Sequence, residues 1–226
     1  MNQTDVGTID YKSEILRKSI HMCSLSIPII YYYITEELAL KILIPLTIFS
    51  LFIDLGRYII PSLGKYFEMF FGFLLREHER DSKKKNLSGA TYVFIAAVLS
   101  LIILPKIFFI TSFAVLILSD IAAALVGRRF GKHKFLAKSL EGTLSFFVVG
   151  CLVVLFTPKI SGEISEYLIA FIAVAVGAVG ENVSYGWADD NLVIPLSIGI
   201  TMWLLYIIFS PELLVDQTSI LVNFLT

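Results

Sequence analysis

Charged residues are scarce in this 226-residue chain: Asp, Glu, Lys and Arg together make up 16%, where an ordinary soluble domain carries about a quarter. Hydrophobic residues make up 57%. This balance argues against a water-exposed globule and points to lipid as the surrounding solvent. Cysteine is nearly missing as well. Cys23 and Cys151 both sit inside apolar runs, so neither a disulfide framework nor a zinc cluster is expected; they read as small residues of membrane helices. No Ser-His-Asp or Cys-His set is spaced for covalent catalysis. The basic segments lack the interleaved aromatics of a nucleic-acid binder. There is no internal repeat and no low-complexity stretch, and residues 1–226 read as a single membrane domain.

What is present in abundance is apolar sequence in lengths near the ~20 residues that cross a bilayer. Such runs fall at 19–34, 38–60, 90–105, 107–126, 140–157, 164–182 and 191–209. They predict an all-α, polytopic bundle of about seven transmembrane helices. The segment 63–75, LGKYFEMFFGFLL, is too short to span and is expected to lie in the interface as an amphipathic helix. Arg17 and Lys18 precede the first run, but no small-residue cleavage site follows it, so it reads as a retained helix.

The net charge of -1 conceals a segregation of sign along the chain. With seven alternating spans, every Lys and Arg of the 18 except Lys41, Lys106 and Lys159 falls on one side. Basic connections stay cytoplasmic. The expected orientation therefore has the amino terminus cytoplasmic and the carboxyl terminus on the opposite side.

An ionisable group inside a span is costly and faces the protein interior or a wet cavity, which makes each one a candidate site. Asp120, in SFAVLILSDIAAALVG, lies about 10 Å below the cytoplasmic end of its helix. Ala122, Ala123, Ala124 and Gly127 leave room there for a neighbouring helix or a ligand. The basic loop GRRFGKHKFLAKSLEG, 127–142, follows. Glycines, lysines and a helix start capped by Ser139 are how backbone amides and positive charge gather around phosphate. The spacing differs from G-x-x-x-x-G-K-[ST], with three residues between Gly127 and Gly131 and His133 after Lys132.

The connection ENVSYGWADDN, 181–191, is cytoplasmic by the same count yet holds Glu181, Asp189 and Asp190 without a basic residue. Something elsewhere must offset these carboxylates. Oxygen-only ligands suit Mg²⁺, and Asp189 or Asp190 can also cap the last span. Arg17, Lys18 and His21 open the first helix at helical spacing; Asp54 and Arg57 close the second as an intrahelical pair. Glu77, Glu79 and Arg80 precede the turn Leu87–Thr91, and the run Lys83, Lys84, Lys85 reads as a contact to anionic headgroups.

The combination RKSIH at 17–21, SGATY at 88–92, SDIAAALVGRRFGKHKF with AKSLEG at 119–142, and ENVSYGWADDNLVIP at 181–195 resembles the dolichol kinase, phytol kinase and CTP-dependent diacylglycerol kinase family. It is similar, more distantly, to the phosphatidate cytidylyltransferases. The resemblance implies transfer of the γ-phosphoryl group from CTP, or another nucleoside triphosphate, to the hydroxyl of a membrane lipid alcohol such as a polyprenol or dolichol, phytol or diacylglycerol. The alternative is cytidylyl transfer to phosphatidate, giving CDP-diacylglycerol. The implied roles place the nucleotide on Arg17, Lys18, Gly127, Gly131, Lys132, Ser139, Gly142 and Asn191. Asp120, Lys138 and Glu141 carry the chemistry, with Mg²⁺ among Asp120, Glu141, Glu181, Asp189 and Asp190. A transporter would need polar residues through both halves of the bilayer, and the outer halves are nearly devoid of them.

Overall fold

The computed structural model describes residues 11–72, 86–184 and 188–214. Arg76, Glu77, Glu79, Arg80, the lysine run 83–85, residues 185–187 and the tail after 214 lie outside them. The described chain is nearly all α-helix: α1 Tyr11–Cys23, α2 Ser26–Tyr33, α3 Glu36–Ile59, α4 Pro61–Phe71, α5 Gly89–Ile103, α6 Lys106–Phe130, α7 Leu140–Phe156, α8 Ile164–Val183 and α9 Asp190–Phe209. A two-stranded hairpin, β1 Lys134–Phe135 and β2 Lys138–Ser139, joins α6 to α7.

Four helices, α3, α6, α8 and α9, are long and apolar enough to cross a membrane, while α5 and α7 are shorter apolar helices. The first expected run is not one helix. Pro28 has no N–H to reach back to Ser24, and its ring excludes a continuous helix there. The chain tightens instead, with Ser24, Leu25 and Ile27 donating to the carbonyls of His21, Met22 and Ser24 at 2.9–3.0 Å. The 8-residue α2 covers only about 12 Å on its own.

Sequence-local signals set the helix starts. Thr35, Ser88, Ser139 and Asp189 each accept a backbone N–H from the first turn of α3, α5, α7 and α9, satisfying donors that a helix start leaves unpaired. Pro105 stops α5 and admits α6 directly behind it. Pro45 and Pro195 sit inside α3 and α9, which membrane helices tolerate.

The core is built around α6. Phe108, Phe109, Phe113, Val115, Leu116 and Ile117 are fully buried, and α7, α9, α2 and α1 all pack on this helix. By contrast α3 shows Leu38, Ile42, Phe49, Phe52 and Ile59 to the outside. A helix apolar on its outer face has lipid, not water, as its neighbour. None of the residues of α4 is buried. Its position against α3 is held by Arg57, whose guanidinium lies 4.7 Å from the Phe67 ring centre.

Candidate active site

Three carboxylates from three helices converge at one end of the bundle. Asp120 of α6, Glu181 of α8 and Asp190 of α9 each offer an oxygen within 4.8 Å of the others, and all three are nearly inaccessible. Burying a carboxylate costs several kcal/mol unless it is paired, so the surroundings decide what this cluster can do.

Two lysines supply the pairing. On α1, Glu14, Arg17, Lys18 and His21 share one face because they are three or four residues apart. That face lies over the last turns of α6. Lys18, itself 2% exposed, donates to Asp120 Oδ2, and His21 Nε2 is 3.7 Å from the same oxygen. Arg17 donates to Glu14 Oε1 at 2.6 Å, and Arg128 approaches the other Glu14 oxygen at 3.5 Å. Glu14 thereby holds α1 to the end of α6.

The second lysine comes from the hairpin. Lys138 Nζ donates to Glu181 Oε1 at 2.6 Å and to Asp190 Oδ2 at 3.0 Å. This is the missing offset for the acidic connection. Burial disfavours its charge, but Asp190 and Glu181 outweigh burial and hold Lys138 above the ordinary lysine value. Asn182 fixes where the lysine sits: its Oδ1 accepts from the Ala137 and Lys138 amides at 2.8 and 3.1 Å, and its Nδ2 donates to Thr143 at 2.7 Å. Ser184 donates to the other oxygen of Asp190.

The glycine positions serve close approach. A Cβ on Gly142 would stand 3.1 Å from the Ala123 carbonyl and 3.3 Å from Gly127 Cα, and one on Gly131 would stand 2.2 Å from the Gly127 carbonyl. Only glycines let α6 and α7 meet this closely. Several loop amides already have acceptors within the protein: Gly131 on Gly127, His133 on Glu141, Ala137 and Lys138 on Asn182, Leu140 on His133, Gly142 on Ser139. The loop is therefore a braced hairpin carrying Lys138, rather than an open ring of amides. Lys132 is exposed.

Two expected metal ligands have other partners. Glu141 pairs with the exposed His133, Nδ1 to Oε1 at 2.7 Å. Asp189 caps α9 and accepts from Asn191 through both its backbone N–H and Nδ2, at 2.9 and 2.7 Å. Asp54 does lie 3.6 Å from Arg57, but its main partners are the turn before α5: Ser88 N, Ser88 Oγ and Thr91 Oγ1 donate to Oδ2 at 2.7, 2.8 and 2.5 Å. Sequence reasoning missed Glu14, Asn182, Ser184 and Thr143. Asn182 and Ser184 stand beside Glu181 in the acidic motif, the one signal that could have marked them.

The opposite end is less apolar than expected. Glu166 is fully buried and accepts the amides of Ile160, Ser161, Gly162 and Glu163, while Tyr206 donates to it at 2.8 Å. These groups close a loop on themselves and do not line a path.

No family model and no solved structure matches the chain. It is 29% identical over 191 residues to an uncharacterized protein of Rickettsia prowazekii, covering 84% of this chain and 93% of that one. It is 30% identical over 168 residues to CTP-dependent diacylglycerol kinase 1 of Schizosaccharomyces pombe, covering 69% and 74%. A shorter stretch of 89 residues is 35% identical to the phytol kinase of Synechocystis, covering 37% and 38%. The similarity to the yeast enzyme runs through most of both chains, and with it the chain belongs to the family that holds the CTP-dependent diacylglycerol kinase and the phytol kinase.

Proposed function

We propose that the protein is a membrane kinase that moves the γ-phosphoryl group of a nucleoside triphosphate, CTP in the first instance, onto the hydroxyl of a lipid alcohol. The observation that carries this reading is the buried cluster of Asp120, Glu181 and Asp190 joined to Lys18 and Lys138. Phosphoryl transfer asks a protein mainly for positioning and charge stabilisation. Three carboxylates against two ammonium groups leave net negative charge, which suits a divalent cation arriving with a polyphosphate.

Asp120, Glu181 and Asp190 fit Mg²⁺ by donor type, and they are the residues that would hold it. Bound there, it would neutralise charge on the phosphate oxygens. Lys138, braced by Asn182, and Lys18, with Arg17 beside it, are the cations available to the phosphates. Asp120, the one carboxylate on α6, accepts the hydrogen bond, and then the proton, of an alcohol reaching it from the lipid. Gly127, Gly131, Ser139 and Gly142 act through the hairpin they shape, and Asp189 with Asn191 sets the start of α9.

In this reading the α1–α2 unit and α3, α5, α6, α7, α8 and α9 make seven membrane segments, with the site at the cytoplasmic end and the carboxyl terminus opposite. The division of charge supports it: Arg17, Lys18, Arg128 and Lys138 gather around the site, whereas Lys106 donates to the carbonyl of Ile34 at the other end of α2.

The deciding assay uses purified protein, Mg²⁺, nucleotides labelled at the γ-phosphate or in the base, and a panel of polyprenol, phytol, diacylglycerol and phosphatidate. γ-Label entering an alcohol is the expected result. Cytidine label entering phosphatidate instead would replace the kinase with a cytidylyltransferase.

A further inference from the structure

An apolar groove of about 350 Å³ runs along the outside of the bundle between α2 and α7, with α6 as its floor. Its α2 wall is Leu25, Pro28, Ile29 and Tyr32, one stripe at helical spacing. Phe156 faces them from α7, and Ile110 and Ala114 form the floor. Ile29 and Tyr32 are about half exposed, so the groove opens sideways.

Its dimensions select the occupant. From Leu25 to Tyr33 the wall extends about 12 Å, so 350 Å³ gives a cross-section of roughly 30 Å². A helix with side chains, about 10–12 Å across, needs roughly 80–110 Å². The groove has room for one hydrocarbon chain along its length and is too narrow to take in the full width of a helix.

The floor of the groove lies on the helix that carries Asp120. Ala114 lies six residues before Asp120, about 9 Å along α6, and Ile110 about 15 Å. Between them and the aspartate the stripe continues through Leu118, and Ile121 follows just beyond Asp120; both are partly exposed apolar residues. The α2 wall begins four residues after His21, at the Ser24–Leu25 break that turns the chain away from α1.

We infer that this groove receives the distal part of the hydrocarbon chain of the alcohol whose hydroxyl sits at Asp120. The inference rests on the kinase reading. Bilayer tails are as apolar as the groove, so occupancy adds little affinity; it fixes the depth and direction in which the hydroxyl arrives. Chains too short to extend about 9 Å beyond the hydroxyl never reach it, so the groove discriminates by length.

The test uses the full chain in phosphatidylcholine nanodiscs and a twenty-carbon isoprenoid alcohol bearing a diazirine near its far end. Photolabel is expected on the peptides holding Ile29 and Ala114, and excess unlabelled alcohol should reduce it at least fivefold where an alkane of equal length does not. Ala114→Phe, which fills the floor, and Ile29→Trp, which narrows the open side without entering the core, should each lower kcat/KM for the twenty-carbon alcohol at least tenfold relative to a five-carbon one. Label spread equally over α3, or an equal change for both alcohols, would overturn the groove while the kinase reading stood. A protein that phosphorylates diacylglycerol but neither of these alcohols would likewise overturn the groove alone, and one that phosphorylates no alcohol of the panel overturns both.

Discussion

Lys18 donates to the carboxylate of Asp120, 102 residues further along the chain, and both groups are almost inaccessible. The pair joins the first described helix to the most buried one.

Asp120→Asn keeps the shape and removes the charge. Turnover with labelled nucleotide is expected to fall about 10²–10⁴-fold, the range of a lost proton acceptor. Extraction and gel-filtration behaviour should be retained. Activity within threefold of the unsubstituted protein would remove Asp120 from the reaction.

Glu141 and Glu181 are predicted to part company. Glu141→Gln alters a carboxylate beside the exposed His133 and should lower kcat/KM less than tenfold. Glu181→Gln alters the three-carboxylate cluster and should lower it more than a hundredfold, with a higher Mg²⁺ requirement. A reversed order would return Glu141 to the centre of the site.

Lys138→Met leaves Glu181 and Asp190 buried together without their shared cation, which costs about 3–5 kcal/mol. Adding Glu181→Gln should recover part of that loss, read as a partial return of Tm. The sign of the pH effect follows from the folded-state shift. Lys138 is held above its ordinary value of 10.5, so its contribution is complete below that value and is lost only as pH rises past the folded one. Between about pH 6 and 9 the titration of Lys138 itself should produce no step in Tm.

Glu166→Ala tests the opposite end. Losing hydrogen bonds to a charged acceptor costs about 1.5–3 kcal/mol, so Tm in detergent should drop while KM for nucleotide stays within twofold. A change in KM would mean that the loop at 160–163 communicates with the site.

The reach of the sequence was uneven, for reasons that differ by residue. Asp120 stood out because charge within apolar sequence has few structural uses, Glu181 and Asp190 because their connection holds no basic residue to offset them, and the structure brings the three together. Their partner Lys138 was named, but its pairing was invisible: residues 43 and 52 positions away leave no periodic trace. Glu141 looked equivalent to Glu181 because spacing does not reveal which way a first-turn side chain points. Pro28 was in plain view, yet the apolar run through it hid the break at Ser24. Glu166 was lost because one carboxylate near a connection resembles an ordinary surface residue until the loop folds over it.

The aspartate cap on the turn before α5 has a consequence for the bilayer itself. The helix that Asp54 holds in place has 15 residues, and its neighbour α6, reached through a single proline turn, has 25. Starting from a common level at that turn, α5 ends about 15 Å short of α6, near the height of Asp120. Hydrocarbon about 30 Å thick cannot follow both. Among the described residues α5 therefore leaves the last turns of α6 to α1 and α7. In the proposed reaction the hydroxyl would meet Asp120 at the level where α5 begins, so the depth of the chemistry would follow from the difference in length between the two helices.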